Sequence, residues 1–130
     1  LDRFHCFIEG WYLPRINKSM IYKGWTMNME YFSEIMHTLR VQNVYAELFD
    51  KLVDYDRKAG VREFTAVKRI ATAYIKLLFP HWTSVEEVDL DEFDTFCLQP
   101  AIRRRGIIQE QCHYIDPEYK AEMPAIWVRR

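Results

Sequence analysis

Arg62 follows Gly60-Val61 directly, at the head of a long apolar-periodic stretch, so its guanidinium falls in the first turn of a helix. A cation is mildly disfavoured at that positive end of the helix dipole, and a bound anion reverses the sign. Free backbone N–H groups beside a guanidinium make a phosphate-recognition arrangement; neighbouring Glu63 can neutralise Arg62 and make the same arrangement merely structural. The acidic run Glu86, Glu87, Asp89, Asp91, Glu92 and Asp94 could serve acid–base chemistry or a hard cation. It lacks the glycine and spacing of a calcium loop and lies where a helix starts, so capping is the preferred reading. His5-Cys6 and Cys112-His113 could offer zinc ligands, but adjacent pairs rarely both bind one metal and there is no Cys-x-x-Cys, so no metal site is assigned. Cys97 falls in the body of a helical pattern and reads as a small core residue rather than a nucleophile. Arg103-Arg104-Arg105 invites a nucleic-acid reading, yet consecutive helical residues point about 100° apart. A solvated helix face is expected there, with phosphate contact open to one or two of the three. Neither GxxxxGK[ST] nor GxGxxG occurs, so the chain cannot by itself be a complete P-loop ATPase.

The elements that must hold these residues come from a chain of 130 residues, 49% hydrophobic and 15% aromatic, with four Gly and five Pro. That composition fits one globular domain with enough large side chains for a core, and excludes disorder. A net charge of −1 gives no global bias toward nucleic acid or anionic membrane. Charges break every long apolar stretch, so neither a membrane helix nor a signal peptide is expected. Three widely spaced cysteines fit reduced thiols and a cytoplasmic location. The chain opens on Leu1-Asp2-Arg3-Phe4 without a capping or turn signal, which reads as a segment of a larger protein.

Phe4 to Ile8 reads as a strand ended by Gly10, and the aromatic-rich stretch from Gly10 to Trp25 as a loop that packs against the helices. Helical spacing begins after Asn28 (Met29, Phe32, Ile35, Met36, Leu39). It resumes after Asn43 (Tyr45, Leu48, Phe49, Leu52, Val53) and fades in the polar run Asp54 to Lys58. Val61, Phe64, Val67, Ile70, Ala71, Tyr74, Leu77 and Leu78 predict the longest helix, stopped by Pro80. Asp89 with Glu92 predicts a capping box opening a further helix. Pro100 kinks or restarts it before it runs on through Ile102, Ile107 and Ile108 toward Tyr114. The tail ends in a short extended Ala125 to Val128.

So ordered, the residues resemble the second half of an AAA+ ATPase module of the Lon type. Leu1-Asp2-Arg3 resembles the segment that carries the arginine finger, and Ala59-Gly60-Val61-Arg62 the segment that carries the sensor-2 arginine of the helical lid. A closer likeness is to the Lon-like proteins of BREX phage-defence systems, the BrxL family. It is carried by Asp2-Arg3-Phe4-His5, Gly10-Trp11 with Leu13-Pro14-Arg15, Ala66-Val67-Lys68-Arg69 through Leu77-Leu78-Phe79-Pro80, and Arg103-Arg104-Arg105 before Ile115-Asp116-Pro117. Glu9 and Gly106 depart from the family pattern.

The resemblance implies a mainly α fold: a small helical lid-type bundle with a short N-terminal strand and an extended C-terminal tail. Residues 1–27 would end the large AAA+ subdomain, 28–115 form the lid and 116–130 lead toward a downstream domain. Arg3 is then the arginine-finger candidate, reaching a neighbouring subunit's nucleotide. Arg62, with Gly60 and Val61, is the sensor-2 candidate contacting the phosphates of its own. ATP and Mg belong to the full-length protein, which would be an ATPase working as a homo-oligomeric ring, with DNA as a further partner and no membrane. The segment alone should be inactive and hold no cofactor. The alternative is a free-standing helical protein-interaction module using the aromatic loop between Trp11 and Trp25.

Overall fold

The structure, a computed structural model, describes residues 1–56 and 60–129. Ala59 of the Gly-Val-Arg segment, the Lys58 end of the polar run and Arg130 lie outside the described residues. The chain forms two units, one of residues 8–42 and one of residues 1–7 with 43–129.

In the first unit, the Asn28 side chain accepts from the N–H groups of Glu30 and Tyr31 and so starts helix α1, Met29–Arg40. Phe32, Met36 and Leu39 are its half-buried residues. The stretch before it holds two 3-10 turns, Gly10–Tyr12 and Lys18–Met20. Every residue from Gly10 to Trp25 is exposed, Trp25 at 98%.

The second unit carries the core. Helix α2, Val44–Leu52, buries Tyr45, Leu48, Phe49 and Leu52 of the expected stripe, while its last expected member, Val53, is buried outside the helix. Asn43 stands at its N-cap with a helical backbone, and its carbonyl rather than its side chain accepts the first bonds. The helix stops at Leu52 because strand β1, Val53–Tyr55, follows at once and pairs antiparallel with strand β2, Ile126–Val128, in the extended tail. Val53 faces Val128, Asp54 faces Trp127 and Tyr55 faces Ile126. No strand forms at Phe4–Ile8, where the sequence predicts one; among the described residues β1 and β2 make the single sheet.

Helix α3 runs Val61–Leu78 and buries Ala66, Val67, Ala71 and Ile75. Of the expected stripe Val67 and Ala71 are buried, Phe64, Ile70 and Tyr74 half-buried, and Val61, Leu77 and Leu78 exposed, while Ala66 and Ile75 complete the buried face. Phe79 and Pro80 close it off. The Phe79 ring stacks on buried Trp82 at 3.9 Å, and the Tyr45 hydroxyl donates to the Pro80 carbonyl at 2.8 Å.

The short helix α4, Leu90–Phe93, is capped by Asp89, which accepts from the N–H groups of Asp91 and Glu92. The reciprocal capping box lies one turn earlier, where Glu87 accepts from the backbone N–H of Ser84 and from both the N–H and hydroxyl of Thr83. Two members of the acidic run, Glu87 and Asp89, are therefore capping groups. A π-helical segment, Asp94–Leu98, links α4 to α5, Gln99–Ile115. The Gln99 N–H reaches back five residues to the Asp94 carbonyl. That wider turn lets Pro100 sit near the start of α5 without breaking the helical run. The helix also passes through Gly106, where a Cβ would make an ordinary 3.5 Å contact with Met123.

Cys97 is fully buried, and burial pushes its thiol up to about 12. At pH 8 only about one molecule in ten thousand would carry the thiolate. Cys112 is also buried, whereas Cys6 is exposed. Iodoacetamide at pH 8 should therefore modify the native protein at Cys6 and reach Cys97 only after denaturation, as peptide mass spectrometry would show.

Candidate functional site

Leu1 to Phe4 form a tight turn, closed by the Phe4 N–H on the Leu1 carbonyl at 2.9 Å, with Asp2 and Arg3 at its corners. At the start of the expected strand, the Phe4 carbonyl is taken by a side chain instead of a ladder partner. Arg105 Nη1 donates to the Asp2 carbonyl at 3.1 Å and to the Phe4 carbonyl at 2.5 Å. Arg105 Nη2 donates to Asp2 Oδ1 at 2.8 Å and to Glu63 Oε1 at 3.2 Å. The Arg105 residue is 1% exposed.

This corrects the expectation of a solvated face for Arg103-Arg104-Arg105. The helix does separate them, with Arg103 exposed, Arg104 half-buried and Arg105 buried, so the three form no common patch for a nucleic acid. A signal for Arg105 was present in the pattern. Ala101, Arg105, Ile108 and Cys112 recur at four, three and four residues along α5, and all are buried. The arginine thus occupies a core position in the stripe.

Asp2 serves a second arginine. Its Oδ2 pairs with Arg62 Nη1, so one carboxylate joins the sensor-2 candidate to buried Arg105. Partial burial alone would raise the Asp2 pKa, but hydrogen bonds from Arg62 and Arg105 outweigh it and hold the carboxyl below its ordinary range. The hydrogen bond to Asp2, then its charge, raises the Arg62 pKa. A native pKa below the unfolded one means that the Asp2 contribution to stability is complete above about pH 4 and drains away as pH falls through the lowered native value. The urea midpoint should accordingly hold from neutral pH down to about 5 and fall below about 4. Asp2→Asn should flatten that acid limb, and an unchanged limb would contradict the assignment.

Gly60 supports the same cluster by close approach. A Cβ there would overlap a carboxylate oxygen of Glu63, which bends back over the helix start while its other oxygen meets Arg105. Gly60 is thus the residue that leaves room for the buried pair. Val61 is exposed at the first helical position.

Two clefts share Asp2, Val61 and Arg62 in their walls. The larger, about 660 Å³, is dominated by acids, with Asp2, Asp56, Glu63, Glu118 and Glu122 against Arg62 and Lys120. The smaller, about 320 Å³, is cationic. Arg3, Arg62, Arg69, Arg105 and His5 line it, with Asp2 as its single carboxylate. Arg69 Nη1 lies 2.5 Å from His5 Nε2, a contact in which the guanidinium can only donate. The smaller cleft brings together Arg3 and Arg62, the two nucleotide candidates from the sequence, with Arg105 of the arginine run and Arg69, to which the sequence assigned no role. Arg69 lies two turns along α3 from Arg62, a spacing that puts both on one helix face.

Arginine side chains suit phosphate oxygens through bidentate N–H donation. They do not suit Mg²⁺, which needs oxygen ligands. Asp2, the carboxylate available in the cationic cleft, is already held by two guanidinium groups. The residues here fit the phosphates of a nucleotide and not its metal.

Residues 1–125 match the family described as Lon-like protease BrxL-like, ATPase domain. Two curated relatives are both called Lon-like protease BrxL. The one from Escherichia coli O9:H4 (strain HS) is 27% identical over 111 residues, and the one from Bacillus cereus (strain H3081.97) is 24% identical over 110. Each alignment takes in 85% of this chain and 15% of the relative.

Proposed function

The chain belongs to the ATPase-domain family of BrxL-like Lon-like proteins, and from that premise we propose that it is the nucleotide-sensing lid and arginine-finger region of an ATP-hydrolysing ring. The observation that supports the sensor part of this reading is the cationic cleft of about 320 Å³ lined by Arg62 and Arg69. In it, Arg62 takes the sensor-2 role toward the nucleotide of its own subunit, working beside the positive dipole end at the start of α3. Its side chain is 74% exposed, so donors remain for phosphate while Asp2 orients the group. A triphosphate carries more charge than one carboxylate and competes well for the remaining fork. Arg3 is exposed at the corner of its turn, which supports a role as finger for the next subunit. Both arginines then act by stabilising the charge that spreads over the transferred phosphoryl group. Mg²⁺ ligands and the phosphate-cradling loop come from other segments of the full-length protein.

In the full-length protein, Arg62→Ala and Arg3→Ala should each lower the rate of ATP hydrolysis by at least about tenfold, as measured by phosphate release. Wild-type turnover in both variants would sink the proposal. One observation keeps a second reading in play: the exposed aromatics Trp11, Tyr12, Tyr22 and Trp25 suit a protein-interaction surface. Full turnover in both variants would leave that reading standing.

A further inference from the structure

We infer that Arg105 is the positioning residue for Arg3, a role that rests on the finger reading of Arg3 above. Arg105 Nη1 holds the carbonyls of Asp2 and Phe4, the residues on either side of Arg3, and Nη2 holds the Asp2 carboxylate. Three of its four hydrogen bonds thus land on the turn that carries Arg3, and the fourth lands on Glu63 of α3. The arginine is 1% exposed and its Nε has no partner, so it sits in the core at a cost that an apolar residue of similar volume would avoid. What the guanidinium supplies, and an apolar side chain cannot, is a fixed fork that clamps a short segment of backbone to α3 and α5.

A finger needs that kind of clamp. Its long side chain works only if its Cα is already in place, since a displacement of about 1 Å can cost two orders of magnitude in rate. Within the turn, the bond closing Phe4 onto Leu1 fixes the backbone locally. Arg105 ties the turn to the helices. The Asp2 carboxylate it holds also touches Arg62, so the clamp sets the finger in register with the sensor candidate.

The test is a kinetic cycle in the full-length protein, with ATP as substrate and phosphate release as readout. Arg105→Lys keeps a positive charge but lacks the fork; it should lower kcat at least about fivefold while KM for ATP stays within about twofold. Combined with Arg3→Ala, it should take kcat no lower than Arg3→Ala alone, because Arg105 acts through Arg3. Wild-type turnover in Arg105→Lys would overturn the inference. So would losses that multiply in the double variant, or an effect confined to KM. Wild-type turnover in Arg3→Ala would instead overturn the finger reading itself. Should Arg105→Lys not fold, amide exchange in the unmutated protein decides. The Phe4 N–H should exchange at least about tenfold more slowly than in an unstructured peptide, and exchange at the unstructured rate would overturn the clamp.

Discussion

Arg105→Ala is expected to destabilise the unit of residues 1–7 and 43–129 by about 3–5 kcal/mol, because it removes one partner of a buried ionic cluster and leaves the others behind. Glu63 would keep a buried carboxylate without its cation, and the carbonyls of Asp2 and Phe4 would lose their donor. The void left at a core position of α5 adds to the cost. Urea unfolding of the 130-residue chain measures it. A companion variant isolates the cause: Arg103→Ala, two positions earlier and exposed, should move the midpoint little. Equal effects from the two would mean that Arg105 is not buried as described.

Phe49→Ala should cost a similar amount, about 3–5 kcal/mol, by a different route. The ring is completely buried, with the Phe64 ring centre 5.7 Å away and that of Phe93 at 6.3 Å. It therefore joins α2 to α3 and α4 at one point. Neighbouring rings cannot collapse into the space, since Phe64 is itself stacked on Tyr55 at 3.9 Å. Phe49→Leu, which keeps most of the volume, should cost markedly less. A loss below about 1 kcal/mol for Phe49→Ala would mean that the core at this point is loose.

The helices were readable because their signals are local. Asn28 and Asp89 cap where the sequence places caps, and the α2 stripe marks its buried face as far as Leu52, whereas in α3 only Val67 and Ala71 of the expected stripe are buried, beside Ala66 and Ile75. Cys97 also lies in the core, as its place in the pattern implied. What escaped was fixed by partners distant in the chain. Phe4 to Ile8 has the composition of a strand, yet a strand needs a ladder, and the carbonyls of Asp2 and Phe4 go to an arginine about a hundred positions away. Val53–Tyr55 is too short to show a period of two and looked like the fading end of a helix until β2 paired with it. Arg105 was read by its charge and its two arginine neighbours, although the spacing of Ala101, Ile108 and Cys112 already assigned it to the core. The candidate site was legible as two separate arginines. The carboxylate between them became visible only once the turn and the helix start were set side by side.

Under the proposal, Arg62 serves the nucleotide of its own subunit while Arg3 serves that of the next one. Mixing tests it directly. Full-length Arg3→Ala and Arg62→Ala chains, each slow alone, are combined in equal amounts, dissociated and reassembled, and ATP hydrolysis is measured. Random assembly gives about a quarter of the sites an intact Arg62 from their owner and an intact Arg3 from the neighbour, so about a quarter of wild-type turnover should return. A mixture no more active than either variant alone would contradict the claim, and would mean that the two arginines act on a single nucleotide from one chain.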